Sequence, residues 1–114
     1  MSSERNKQMA KTVIIPDEIR QAIDTRVDKF NKIHRCKYIS RYEKDCLYLD
    51  RQDGDAVSQI CRLKYKGKLD NWDFAIFKYS CEQYDDEEVF FPGAGHVNGT
   101  VEGAMAAGLE AYPW

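Results

Sequence analysis

No apolar run in this chain approaches the ~20 residues that a membrane span needs. Its first eleven residues are polar and lack the hydrophobic centre of a signal peptide, so the expectation is a cytoplasmic protein with no membrane partner. An excess of either charge is missing too. Seventeen Lys and Arg against nineteen Asp and Glu leave a formal net charge of -2, which argues against a general affinity for nucleic acid or anionic lipid. Any basic surface has to be local. No two of the four cysteines, Cys36, Cys46, Cys61 and Cys81, form CxxC. In a reducing compartment, widely spaced cysteines beside predicted strands read as small buried hydrophobes and not as disulfides. Soft metal ligands are scarce, with two histidines and His34-x-Cys36 as the one close pair. Zinc sites usually take two ligands from one tight turn, and no metal or cofactor is expected. A nucleophile motif is absent as well: Cys61 and His96 would be a pair without a third, orienting group, so an enzyme is not indicated.

What is present describes one ordinary domain. A chain of 114 residues buries roughly two-thirds of its unfolded surface without needing staples. The balance of 43% hydrophobic and 32% charged residues is that of a soluble globular protein. Residues 1–11 carry mixed charge without periodicity and read as a frayed tail, leaving residues 12–114 as a single domain. Val13, Ile14 and Ile15 are β-branched and suit a short strand or an apolar lead-in. Pro16-Asp17-Glu18 then reads as a helix start, because proline fits the first turn and carboxylates face the positive end of the dipole. Ile19, Ile23, Val27 and Phe30 recur at spacings of four, four and three on one stripe, widened by Ala22 and Ile33. The basic last turn predicts an end near His34.

Short β-type segments follow. Residues 38–43 and 46–51 flank the tight turn Lys44-Asp45, and Asp53-Gly54 supplies the positive φ of the next turn. Cys61, Leu63 and Tyr65 alternate with Arg62, Lys64 and Lys66. Trp72-Asp73-Phe74-Ala75-Ile76-Phe77-Lys78-Tyr79-Ser80 is apolar on both faces and reads as the middle of a sheet. The acidic stretch 82–88 reads as a loop, and Val89-Phe90-Phe91 as a short edge strand ending at Pro92. Thr100 is a plausible N-cap for a last helix with Val101, Met105, Leu109 and Tyr112 on one stripe. Its glycines cost ~1 kcal/mol each against alanine, which points to a close approach to the sheet or to another subunit. Hairpin-linked strands must be antiparallel. The fold class is therefore α+β: an N-terminal helix, a four- or five-stranded antiparallel β-meander and a C-terminal helix (α-β-β-β-β-α), with the helices packed on one face of the sheet.

Arg62-Leu63, the stretch from Trp72 to Ser80, and Gly99-Thr100-Val101-Glu102-Gly103-Ala104 are similar to a pattern in small uncharacterised prokaryotic proteins of unknown function. The resemblance covers about residues 60–112 and implies that the second half is a recurring unit; it carries no activity and no catalytic residue. The element order also resembles that of the double-stranded-RNA-binding domain, whose last helix opens with a lysine cluster. Here it opens Thr100-Val101-Glu102, which repels phosphate, and that family is rejected on this ground.

Two candidate sites remain. The glycine-rich loop offers Gly93, Gly95, His96, Gly99 and Thr100 before a helix N-terminus, an arrangement that suits an anion or small molecule. Asn98 stands where GxGxxG needs a glycine, and the lysine of a P-loop is missing. The second candidate is the sheet. If both helices take the Trp72, Phe74 and Ile76 face, then Ala75, Phe77 and Tyr79 are left without an intramolecular partner, on a face that Tyr48 lines beside Arg41, Arg62 and Lys64. Aromatic rings interleaved with arginine suit a protein interface or single-stranded nucleic acid, and the net charge favours the first. The basic alternation 62–68 and the acidic run 82–88 also permit self-association about a two-fold axis. The leading expectation is thus a protein-interaction or self-associating module, a homodimer included. A pocket at loop 93–100 stands second and single-stranded nucleic acid third.

Overall fold

In the computed structural model, which describes residues 14–87 and 90–113, helix α1 (Asp17–His34) is followed by strands β1 (Tyr38–Glu43), β2 (Cys46–Asp53), β3 (Ala56–Tyr65), β4 (Trp72–Lys78) and β5 (Gln83–Asp85). A 3-10 turn (Ala94–His96) and helix α2 (Val101–Ala111) complete the chain. The strands pair in the order β1-β2-β3-β4-β5, every neighbour antiparallel. The predicted frayed tail, Val13 and Val89 lie outside the described residues.

Pro16 caps α1 in the extended region, and Asp17 and Glu18 occupy its first turn. Ile23, Val27 and Phe30 are buried as their spacing requires, but Ile33 is 65% exposed and does not widen the stripe, since the helix ends one residue later and Arg35 turns left-handed. β2 and β3 carry a register shift between Leu49 and Asp50 that leaves Ile60 as the extra residue. Ile60 and its neighbour Cys61 are both fully buried, so the irregularity adds a second apolar side chain to the same face. The loop between these strands is Gly54-Asp55, one residue later than read from the sequence, because Asp53 still pairs with Ala56. Gly54 supplies the positive φ.

The last strand corrects the sequence reading. It lies at Gln83–Asp85, inside the stretch read as loop, and Phe90 and Phe91 are in no strand. The pairing of Tyr84 with Phe77 sets this register, and an aromatic cross-strand pair outweighs the low β-propensity of its acidic neighbours.

Both helices lie on the face that carries Leu47, Leu49, Leu63, Tyr65 and Trp72, where these residues join Ile23, Val27, Val101 and Met105 in one core. The glycines of α2 account for the close approach. A Cβ on Gly108 would stand 2.3 Å from Tyr38 Oη and 2.5 Å from Ile60 Cγ2, and one on Gly103 would meet Asn98 Oδ1 at 2.4 Å. The neighbours are thus the sheet and the preceding loop. Arg51 sits in this core, 1% exposed. It forms a two-point ion pair with Asp53 and donates to the Gly108 and Tyr112 carbonyls at the end of α2, the negative end of the helix dipole.

Candidate functional site

Strand alternation and register place Arg41 on β1, Tyr48 on β2, Arg62 and Lys64 on β3, Ala75 and Phe77 on β4 and Tyr84 on β5 on the face opposite the helices. Among the described residues no helix covers them, yet Ala75 is 1% and Phe77 5% exposed. The expectation that these residues lack an intramolecular partner is therefore wrong. For Phe77 the cover includes aromatic side chains of the sheet and its turn. Tyr84 packs edge-on against Phe77 at 4.9 Å, Tyr79 does so at 4.8 Å, and Tyr48 meets Tyr84 at 5.3 Å.

Two guanidinium groups extend this layer. Arg41 lies 4.5 Å over the Tyr48 ring and Arg62 5.5 Å over the Tyr84 ring. Arg41 donates to both oxygens of Asp50 at 3.1 and 3.3 Å and to Glu43 at 2.9 Å, and the bond to Asp50 raises its pKa further. Lys64 stands 4.0 Å from Asp45. Burial pushes the Tyr48 and Tyr84 hydroxyls up, so both are neutral donors at physiological pH. The outcome is a flat aromatic and arginine surface whose cations are largely balanced by acids. Tyr79, 49% exposed, fixes its hydroxyl on the Gln59 carbonyl at 2.8 Å. Of the residues expected on this face, Phe77 forms the floor, while Tyr48, Arg62, Lys64 and Tyr79 make up the accessible part. Tyr84 was hidden in the sequence by its acidic neighbours. The signal that finds it is its place opposite Phe77 across a short turn.

The glycine-rich loop divides differently. Gly95, His96 and Thr100 line a groove of about 610 Å³ between α1 and the start of α2, together with Arg26, Lys29 and His34. Gly93 and Gly99 are not on it. Gly93 is buried with φ near +98°, where a Cβ would stand 2.5 Å from the Ala107 carbonyl oxygen, and Gly99, also left-handed, packs on the Asp70 backbone. Both glycines serve the loop's own path. The polar groups of the groove are mostly engaged already. Arg26 forms a two-point ion pair with Glu102 at 2.5 Å and meets Asp70 at 2.8 Å, and His96 bonds Glu110 at 2.9 Å. Thr100 Oγ1 accepts from Gly103 N–H at 3.0 Å and donates to Asn98 Oδ1. An anion entering here meets a capped helix start and the Glu102 carboxylate, both unfavourable to it.

The cysteines offer little reactivity. Cys61 is fully buried in the core, where desolvation raises its pKa well beyond the ordinary thiol range, and burial also raises Cys36 and Cys46. Thiols so shifted hold their proton at neutral pH. Cys81 is exposed. The Cys61–His96 pair does not form, with one residue inside the sheet core and the other half-exposed on Glu110. His34 stacks on Phe30 at 4.0 Å and Cys36 Sγ bonds Asn31. Among the described residues no three His, Cys, Asp or Glu side chains converge as a metal set, and no helix is long and apolar enough to cross a membrane. Comparisons with models of known protein families, with curated proteins and with solved structures find no match for this chain.

Proposed function

We propose that this protein is a self-associating interaction module whose contact surface is the uncovered face of the sheet. The observation that supports this reading is the Tyr48, Tyr79 and Tyr84 layer with Arg41 and Arg62 above a buried Phe77. Tyr and Arg are the residues that interfaces favour. A rigid layer already held by its own ring contacts loses little side-chain entropy when it is covered.

A second copy suits the charge layout. Arg41 lies on β1, at one edge of this face, while Glu82, Asp86 and Glu87 flank β5 at the opposite edge. A two-fold axis parallel to the strands, lying between two such faces, sets β1 of one copy over β5 of the other. Arg41 of each copy then meets the acids beside β5 of the other, so the contact is made twice. Nucleic acid is the poorer match, because the chain carries a net charge of -2 and the Asp50 and Glu43 carboxylates beside Arg41 oppose a polyphosphate backbone.

Five strands spaced ~4.8 Å apart and about five residues long give a face of roughly 400 Å² per copy. That is about half of a standard interface, so the association is weak and transient. Sedimentation equilibrium over a concentration series tests it. Dimer is expected at low salt and less of it at high salt. Arg41→Glu is expected to abolish it, and Arg41→Glu combined with Glu87→Arg to restore it. A strictly monomeric chain at millimolar concentration, or a dimer indifferent to both substitutions, refutes the reading.

A further inference from the structure

We propose that the free edge of β1 is a second interaction site, which takes an extended segment of a partner protein carrying basic side chains at alternate positions as a sixth strand. This goes beyond the sheet face, since the groups concerned lie in the plane of the sheet and not above it.

The backbone of β1 shows which groups are open. Lys37 accepts from Gln52 of the neighbouring strand, so residues 37, 39, 41 and 43 direct their N–H and C=O groups toward β2, and Tyr38, Ser40 and Tyr42 direct theirs outward. At Tyr38 the outward pair is filled by a side chain: the Asn31 amide donates to the Tyr38 carbonyl at 3.0 Å and accepts from its N–H at 2.8 Å. A carboxamide bonded this way reproduces the pairing of a peptide unit in an added strand. The next two outward pairs, at Ser40 and Tyr42, have no such partner among the described residues. Natural sheets commonly blunt an edge with proline, a bulge or inward-pointing charge. β1 has no proline, and its pairing with β2 runs without a register shift.

Helix α1 forms the other wall. It runs antiparallel to β1, with Asn31 beside Tyr38 and Asp24 accepting from Ser40 Oγ at 2.7 Å and Tyr42 Oη at 2.8 Å. Gln21, Asp24, Asp28 and Asn31, spaced three, four and three, share one stripe of the helix, and the bonds of Asn31 and Asp24 show that this stripe faces the edge. A groove of about 330 Å³, lined by Asp24, Val27, Asp28, Tyr38, Ile39 and Ser40, runs between helix and strand.

The charge of the groove selects the occupant. Asp28 is exposed and forms no ion pair among the described residues, and Asp24 lies beside it. Two cations near the groove are engaged elsewhere, Arg20 over the Tyr42 ring and Arg41 with Asp50 and Glu43 on the outer face. A second copy paired through β1 would bring the Asp24 and Asp28 stripe of each α1 against that of the other, which like charge opposes. Lysine or arginine at every second position of an incoming strand sets its cations along this stripe, while the intervening side chains lie on the Ile39 side. Main-chain pairing provides affinity and the alternate charges provide selectivity.

The test uses the full chain, ¹⁵N-labelled, and the blocked heptapeptide Lys-Thr-Lys-Val-Lys-Thr-Lys, with a Glu-for-Lys peptide as control. The lysine peptide is expected to shift the Ser40 and Tyr42 amides first and to slow their hydrogen exchange by at least about tenfold at saturation; the Glu peptide leaves both unchanged. Ser40→Pro removes an outward N–H at an edge position where proline is tolerated, and is expected to abolish binding. Asp28→Lys, on an exposed residue, is expected to weaken binding by about fivefold or more with the fold intact. The proposal is overturned if the Ser40 and Tyr42 amides are unaffected, if the two peptides act alike, or if Ser40→Pro binds normally. It is also overturned if Ser40 and Tyr42 are already protected in the free chain through contacts with residues 1–13, for then the occupant is the chain itself.

Discussion

The two faces of one sheet are closed by different means. On the inner face Leu47, Leu49, Leu63 and Trp72 lie under two helices and are each 3% exposed or less. On the outer face Ala75 and Phe77 reach comparable burial with no helix above them among the described residues, and Tyr79 and Tyr84 pack on Phe77 with Tyr48 beside Tyr84. The inner cover is rigid and dry, because each helix satisfies its own backbone and presents an apolar stripe. The outer cover is one side chain thick, amphipathic and bordered by water. Long aromatic side chains bridge the 7–8 Å to diagonal neighbours on a sheet, which aliphatic ones do not. A strand that is apolar on both faces therefore does not require a layer on each side. The same property makes the outer face suitable for contact, since a tyrosine ring covers a neighbour and still presents part of its own surface to solvent.

If the inner cover is the more unforgiving one, the largest effect belongs to Arg51. Its replacement by leucine leaves Asp53 and the Gly108 and Tyr112 carbonyls without their donor. A loss of about 3–4 kcal/mol is expected in urea unfolding, in the range for breaking a buried ion pair. Phe77→Ala is the matching experiment on the outer face. A real core position loses about 3 kcal/mol or more on this truncation, and an exposed one less than about 0.5 kcal/mol. We expect about 2 kcal/mol, because water reaches part of the space left behind. A value near zero would dissolve the comparison and reduce the outer face to ordinary surface.

Much of the inner face was legible in the sequence, and less of the outer one. The stripe Ile23, Val27, Phe30 and the alternation Cys61, Leu63, Tyr65 are periodic and local, so spacing alone placed them. The N-cap at Thr100 was legible for the same reason. Three things were not. Arg51 reads as a surface residue until the end of α2, distant in sequence, is known to lie above it. Tyr84 sits in an acidic stretch whose composition argues for a loop, and only the cross-strand position of Phe77 makes it a strand residue. Asn31 reads as one polar residue of a helix, and its part in closing the edge of β1 depends on a chain reversal at Arg35. Each miss is a contact across a chain reversal or between distant elements, or a local propensity overridden by one. Of the glycine-rich loop, the positions that line the groove and those that serve only the loop's path differ by backbone conformation, which composition does not encode.

A smaller effect separates the faces by pH. Tyr38, on the inner face, donates to the Met105 carbonyl at 2.8 Å, and burial holds its hydroxyl well above its ordinary value of 10. The protonated form is thus the folded one. Stability is complete below pH 10 and declines as the pH rises above it, because the unfolded chain releases the proton first. Tyr38→Phe is expected to cost about 1 kcal/mol at neutral pH for the lost hydrogen bond and to flatten the alkaline decline seen in thermal melts. An unchanged decline would assign it to the other raised tyrosines, Tyr42 first, where burial and the bond to Asp24 act together.

The smallest effect on the fold is expected at Tyr79, and it bears most directly on function. This ring is half-exposed, packs edge-on against Phe77 and Tyr112, and holds the Gln59 carbonyl through its hydroxyl. Tyr79→Ala removes a partly wet contact and is expected to cost no more than about 1 kcal/mol of stability. Its effect on sedimentation should be larger in proportion, because a contact surface of this size relies on a few aromatic anchors. Loss of the dimer with stability nearly intact would separate the outer layer's role in contact from its role as cover. Loss of stability with the dimer retained would show that Tyr79 only roofs Phe77 and that association, where it occurs, uses another surface.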